Sequence, residues 1–158
     1  MFRIGIGHDT HRLAEGRPLI LGGVRVEASR GALGHSDADA LAHAAADAIL
    51  GALCEGDLGA HFPDSDPQWK DADSLDLLAR VVRLANERGW RVVNLDATVL
   101  LERPRLRPHV QEMRQRLART LNVEPSCVSV KAKTGEGLDA VGRGEAVTVQ
   151  AVILLTKA

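Results

Sequence analysis

The sequence predicts an α/β chain of the α+β sandwich type, with one mixed β-sheet packed under a layer of about three helices. Three observations predict it. Strand-like runs alternate with amphipathic helical ones along the chain. Short strand candidates meet at tight turns, above all at Gly22-Gly23, and such turns suit antiparallel pairing. The first strand-to-helix connection lacks both GxGxxG and the Walker pattern, which argues against a doubly wound nucleotide fold. With 158 residues, no internal repeat and no linker, the chain is expected to form one domain over residues 1–158.

The elements follow in order. Residues 2–7, FRIGIG, read as a strand ending at GHDTH, residues 7–11. PLILGGVRVE, residues 18–27, reads as two short strands around the glycine pair. SRGALGHSDAD reads as a loop leading into a helix. Ser36 followed by Asp39 resembles a capping box, and the alanine-rich run to Leu53 favours helix. A second helix is expected from Asp73 or Ser74, with Leu75, Leu78, Val82 and Ala85 on one face and a stop at Gly89. WRVVNLDATVLLE, residues 90–102, is the longest strand candidate. Pro104 and Pro108 bracket the start of a third helix, with Val110, Met113, Leu117 and Leu121 as its buried stripe. Residues 127–134 and 146–155 read as strands, joined by the glycine-rich loop GEGLDAVGRGE.

Composition narrows the function. Twenty basic and twenty-one acidic residues give a net charge of −1, so no global field draws the chain to nucleic acid or membrane. Aromatic residues are 3% of the chain, with no tyrosine, which removes the stacking platforms of single-strand binders. The apolar run near residues 40–53 is broken by His43 and Asp47, and the N-terminus turns polar too soon for a signal peptide. A cytoplasmic protein is expected, with Cys54 and Cys127 as small buried hydrophobes.

Five constellations carry chemistry. In an extended segment Asp9 and His11 project to one side and His8 to the other. Asp39, His43 and Asp47 recur every four positions on an otherwise apolar helix. His43 is either a core histidine held by flanking carboxylates or a third ligand beside Asp9 and His11, which would leave zinc one open position. GDLGAHFPDSDP, residues 56–67, is either a solvated acidic loop or a rigid set of carboxylates suited to polyol hydroxyls and divalent ions. Arg103, Arg105 and Arg107 are expected to open a helix, where arginines either attract phosphate or stay solvated. In KAKTGEGLDAVGRGE, residues 131–145, Lys131, Lys133, Thr134 and the glycines read as a phosphate nest, with Glu136 placed to hold a hard cation. Together they point to a metal-assisted reaction on a phosphorylated polyol.

GHDTH, LGHSDADALAHA, GDLGAHFPDSDP, DADS, RPRLRPH, KAKTGE and GRGE, in this order over nearly the whole chain, resemble the 2-C-methyl-D-erythritol 2,4-cyclodiphosphate synthase family. The resemblance implies a homotrimer with active sites between subunits and sheets facing the trimer core. It implies cyclisation of 4-diphosphocytidyl-2-C-methyl-D-erythritol 2-phosphate, in non-mevalonate isoprenoid biosynthesis, with release of CMP. Carried over by motif, Asp9, His11 and His43 look like the zinc ligands, and Glu136 like the ligand of magnesium or manganese. His35 and Thr134 resemble the catalytic groups that orient the reacting phosphates, and Ser36 a phosphate contact. Asp57, with Leu58, Gly59 and the loop Phe62, Pro63, Asp64, Ser65 and Asp66, resembles the methylerythritol side. Leu101, Glu102, Arg103, Pro104, Arg105, Leu106 and Arg107, with Lys133, resemble the cytidyl side, and Gly135 resembles a further substrate contact.

This chain departs from the family pattern at two points. Asp139-Ala140-Val141 stands where Gly-Phe-Thr is common, so Ala140 removes an aromatic contact from the axial cavity. Arg105 replaces a usual lysine. Arg143 of GRGE is kept, and three copies near one axis imply an anion among them. Beside the cyclase, the residues leave room for a zinc-dependent phosphohydrolase acting on a nucleotide-linked polyol, or for a binding module without catalysis.

Overall fold

A computed structural model describes residues 1–158. In chain order the elements are β1 (Phe2–Glu15), β2 (Leu19–Leu21), β3 (Val24–Val26), β4 (Arg30–Ala32), α1 (Ala40–Leu53), α2 (Leu58–His61), α3 (Ser74–Glu87), β5 (Trp90–Leu100), α4 (Val110–Leu121), β6 (Val128–Lys133), α5 (Asp139–Gly142) and β7 (Ala146–Lys157). Five strands form one sheet in the order β4-β1-β7-β5-β6, antiparallel except for β5 with β6. The β2-β3 hairpin turns at Gly22-Gly23 as expected. The sheet is therefore mixed, and α1, α3 and α4 form the helical layer, as the alternation of patterns predicted.

Several boundaries differ from the sequence reading, each for a local reason. The first strand does not stop at GHDTH, because β7 pairs with it through His8↔Gln150, Asp9↔Val149 and His11↔Val147. The short strand β4 and the one-turn helices α2 and α5 lie where loops were expected; four residues are too few for a periodic pattern. Arg103, Arg105 and Arg107 do not open a helix. They lie in a turn before α4, which starts only at Val110, and Pro108 disfavours helical geometry at Arg107. Cys54 is exposed and Cys127 half-buried: Cys54 caps α1 in the left-handed region at φ 61°, at the surface.

Two features of β1 place α1. Gly5 and Gly7 face the helix, and a Cβ on them would fall 1.8 Å from the Ala48 carbonyl oxygen and 1.9 Å from that of Ala44. Two strand residues advance about 6.7 Å and four helical residues about 6.0 Å, so this antiparallel match persists along the pair. Followed one step further, it brings the first turn of α1 to Asp9 and His11.

The cap of α1 is Asp39, not Ser36. Asp39 is fully buried and accepts from Gly22 N (2.9 Å), Gly23 N (2.6 Å), Leu41 N (3.0 Å) and Ala42 N (3.0 Å). One carboxylate thus caps α1 and pins the β2-β3 turn to it. Asp39→Ala removes the cap and strands buried N–H donors, so a loss of about 3 kcal/mol is expected from urea unfolding. A loss below about 1 kcal/mol would mean that water replaces the carboxylate.

Candidate active site

Asp9 and His11 stand two residues apart on the helix-facing side of β1, and His43 is the fourth residue of α1. Asp9 Oδ2 lies 2.9 Å from His11 Nε2 and 3.2 Å from His43 Nδ1, and those two nitrogens are 3.2 Å apart. The three side chains each bring a ligand atom within 4.8 Å of the others. His8 points to the opposite face, exposed, with Nε2 3.4 Å from the Thr10 hydroxyl. The alternation read from the sequence holds.

Hydrogen bonds decide which nitrogen each ring offers. His11 Nδ1 is 2.6 Å from the Leu33 carbonyl, which only accepts, so Nδ1 carries the proton and Nε2 faces the triad. Burial raises the Asp9 carboxyl, but its close polar contacts with the His11 and His43 rings outweigh this and hold Asp9 below the usual carboxylate range. Burial lowers the His11 imidazole, and the Asp9 carboxylate reverses this, so that it is raised. Two imidazoles and an ionised carboxylate fit a divalent cation, and the site opens into a cleft that can supply another ligand.

That cleft, of about 360 Å³, is lined by the triad, His35, Ser36, Asp57, Leu58, Gly59, Phe62 and Asp64, together with Gly34, Asp47, Trp69 and Leu77. His35 donates from Nε2 to the Asp66 carbonyl at 3.4 Å. Asp57 caps α2 through Ala60 N (2.9 Å). Pro63, Ser65 and Asp66 border the cleft in sequence without lining it, and the Asp66 carboxylate caps the turn Pro67–Trp69 through Gln68 N. His61 turns away, donating to the Glu55 carbonyl.

The other expected residues gather elsewhere. A second cleft, of about 990 Å³, is lined by Glu102, Arg103, Pro104, Arg105, Thr134 and Gly144, with residues Glu27 to Arg30 opposite. Glu102 accepts from Gly135 N (3.0 Å) and Leu101 N donates to the Lys133 carbonyl (2.9 Å), so the two loops form one wall. Leu101 and Leu106 are buried, so their side chains belong to the core, while Arg107 is exposed. Glu136 is exposed and its Oε1 accepts from the Thr134 hydroxyl at 2.9 Å; it does not line the triad's cleft. Lys131 leaves the expected nest, because its ammonium pairs with Asp96 at 2.6 Å and lowers that carboxyl. Arg143 pairs with Glu145 at 3.0 Å, and Ala140 lines a third hollow with Thr10, Arg12 and Arg30. His35 and Thr134 thus belong to different clefts of one chain.

Trp69, Ser74 and Asp37 were given no part in the site by the sequence, and Asp47 and Asp39 have other partners than expected. Trp69 meets Phe62 edge to face at 4.9 Å, with Arg80 over its ring, and makes an aromatic wall for the cleft. A lone Trp in a polar loop was the available signal. Asp47 contacts Leu58 N at 2.7 Å rather than His43, tying the Asp57 loop to α1; burial raises its carboxyl. Asp39 is equally taken up by capping. The partners of His43 are instead Ser36 and Ser74, with Asp37 behind Ser74, and no local pattern announces a pair 37 positions apart.

The comparisons agree with this geometry. The YgbB family model matches residues 2–156. A relative in Salinibacter ruber, named 2-C-methyl-D-erythritol 2,4-cyclodiphosphate synthase, is 61% identical over 156 residues, spanning 99% of this chain and 99% of its own length. A solved synthase of that name, in its CDP-bound form, is 41% identical with a TM-score of 0.91, over 98% of this chain and 100% of its own. The bifunctional IspDF of Campylobacter jejuni matches with a TM-score of 0.96 at 37% identity, over all of this chain, which spans 43% of that longer one. Sequence and structure similarity run through the same sheet, helices and loops from end to end, and on that ground the chain belongs to the YgbB family, in which its relatives are 2-C-methyl-D-erythritol 2,4-cyclodiphosphate synthases.

Proposed function

We propose that this chain, as a single domain over residues 1–158, is a phosphorus–oxygen lyase that converts 4-diphosphocytidyl-2-C-methyl-D-erythritol 2-phosphate into 2-C-methyl-D-erythritol 2,4-cyclodiphosphate and CMP. The observation that carries the reading is the convergence of Asp9, His11 and His43 at the head of a cleft that also holds His35, Ser36 and Asp57, in a chain of this family. An oxygen of the substrate's own 2-phosphate bonds to the β-phosphorus, the bond from that phosphorus to the α-phosphate oxygen breaks, and CMP leaves with the electron pair. No enzyme nucleophile takes part.

The protein's task is to bring two anions together in line. Asp9, His11 and His43 would hold zinc, and Glu136 magnesium or manganese, and ions bound there would supply the positive charge that two phosphates need at close range. His35 and Ser36 hold the phosphate beside the triad, and Asp57 takes the methylerythritol hydroxyls against the wall of Phe62 and Trp69. Thr134 orients the diphosphate. Arg103, Arg105, Arg107 and Lys133 face the cytidyl group, with main chain from Leu101 to Leu106 reading the base.

Two half-sites in separate clefts call for a second copy of the chain, and the sheet supports one. Its helix-free face exposes Phe2 (67%), Ile4 (72%), Ile6 (70%) and Val152 (45%), with Ile6 opposite Val152 in register. Such a patch suits burial against another subunit. The assembly is a homotrimer with active sites between subunits, and an anion held on its axis would draw Arg143 from Glu145. Ile6→Glu is expected to give monomers by sedimentation equilibrium and to lose over about 90% of turnover; a monomer with full activity would end the shared-site reading.

Phosphorus NMR of the cytidyl substrate with zinc and magnesium tests the function. The cyclic diphosphate and CMP are the expected products, with no solvent oxygen-18 incorporated. Label in the product would make the chain a phosphohydrolase, and bound substrate left unconverted would make it a binding module.

A further inference from the structure

The face of His43 turned away from the triad carries information that the ligands themselves do not. His43 Nε2 lies 2.8 Å from Ser74 Oγ and 3.2 Å from Ser36 Oγ. Ser74 is 1% exposed, and its hydroxyl also meets a carboxylate oxygen of Asp37. That carboxylate accepts from Ser74 N and Asp39 N as well, each at 3.2 Å, and so is held as an acceptor from three sides. The backbone keeps these segments together: Asp37 N donates to the Ala72 carbonyl (3.1 Å), and Asp71 N to that of His35 (2.9 Å).

A serine hydroxyl has one proton, and a carboxylate can only accept. The Ser74 proton is therefore directed at Asp37, which leaves Ser74 only lone pairs for His43. Nε2 must then carry hydrogen, so Nδ1, which faces Asp9 Oδ2 at 3.2 Å and His11 Nε2, is the nitrogen left to a metal, which takes the place of any proton shared with Asp9. Ser36 is compatible with this: its oxygen accepts from Ala38 N (3.2 Å) and lies 3.3 Å from Ser74 Oγ, so its own proton can serve Ser74 or a ligand in the cleft. Had Asp39 or Asp47 reached His43 the same tautomer would follow directly, but both are occupied with backbone N–H groups.

We infer that Ser74 and Asp37 are positioning residues for His43: a carboxylate acting through a hydroxyl sets the tautomer and the ring orientation that present Nδ1 to a metal. The relay joins three elements. Asp37 comes from the loop before α1, Ser74 opens α3 and His43 lies on α1, so ligand geometry depends on how α3 docks. Its effect on affinity rests on the metal-holding role proposed above, whereas the tautomer itself does not. Orienting partners of ligand histidines typically change metal affinity about 10- to 100-fold when removed.

The test uses full-length protein with nitrogen-15 in histidine, prepared without metal at pH 8. Two-bond proton–nitrogen correlation is expected to show hydrogen on His43 Nε2. Ser74→Ala should shift it toward Nδ1–H and weaken zinc binding, by competition with a chromophoric chelator, about 10- to 100-fold. Ser74→Thr, which keeps the hydroxyl, should stay within about threefold of the parent on the same assay. An Nδ1–H tautomer in the parent protein would overturn the inference whether or not the variants fold. So would folded Ser74→Ala protein that binds zinc as the parent does. A parent that shows the Nε2–H tautomer but binds no zinc would leave the relay standing and remove the zinc site from the proposed function.

Discussion

His43→Ala is expected to abolish metal retention and reduce cyclisation by about a thousandfold or more, with the subunit assembly intact. Two ligands, Asp9 and His11, would remain, both from one strand, with nothing opposite them to close the set. Two phosphates would then have to approach without the charge that offsets their repulsion, and electrostatic stabilisation of this kind is worth several kcal/mol. The fold should tolerate the change. His43 is only partly buried, its ring lines the cleft rather than the apolar core, and alanine is the best helix former. The sheet face that exposes Ile4 and Ile6 lies on the other side of β1. Metal content by atomic absorption, sedimentation and turnover are read on the same preparation. A metal-free variant with near-normal turnover would refute the assignment of the triad.

How much of this was legible in the sequence depends on the range over which each residue is held. Asp9, His11 and His8 were sorted correctly because strand alternation is a property of neighbours. The α1 helix and its His43 were legible because its alanine-rich run leaves few alternatives to a buried helix. The cap was misplaced from Asp39 to Ser36 because Ser and Asp are both good caps, and the choice was made by the distant Gly22-Gly23 turn, whose N–H groups Asp39 also satisfies. The role of flanking carboxylates on His43 failed for a related reason. Asp39 and Asp47 each stand one helical turn from His43, yet backbone donors claim them, while the carboxylate behind His43 Nε2 acts through a serine from another helix. The division of the site between two clefts was beyond any linear pattern. Resemblance named residues on both sides, and only the fold shows that Thr134 and His35 do not meet within one chain.

Gly7→Ala, the addition of a single methyl next to the site, is expected to be severely damaging. The new Cβ would lie 1.9 Å from the Ala44 carbonyl oxygen and 2.8 Å from Ala48 N, both backbone atoms that no rotamer can move. Strand β1 is fixed by pairing with β7 from Phe2 to Arg12, so the strain falls on α1, which has to shift by an ångström or so. Ordinary overpacking costs about 1–3 kcal/mol, and a backbone clash on this scale should exceed about 4 kcal/mol, a large part of a domain's stability. Any molecules that fold would have His43 displaced from Asp9 and His11, and a misplacement of about 1 Å can cost about a hundredfold in rate. Stability and metal affinity should therefore fall together, which separates this change from His43→Ala, where affinity falls alone. Gly51→Ala is the matched control: it lies on the same helix, exposed, and its Cβ would meet only the Ile6 carbonyl oxygen, at 3.7 Å. That variant should gain about 0.4–1 kcal/mol from reduced unfolded-state freedom. If urea unfolding placed both alanine variants within about 1 kcal/mol of the parent, close approach of α1 to β1 would not be what brings the three ligands together.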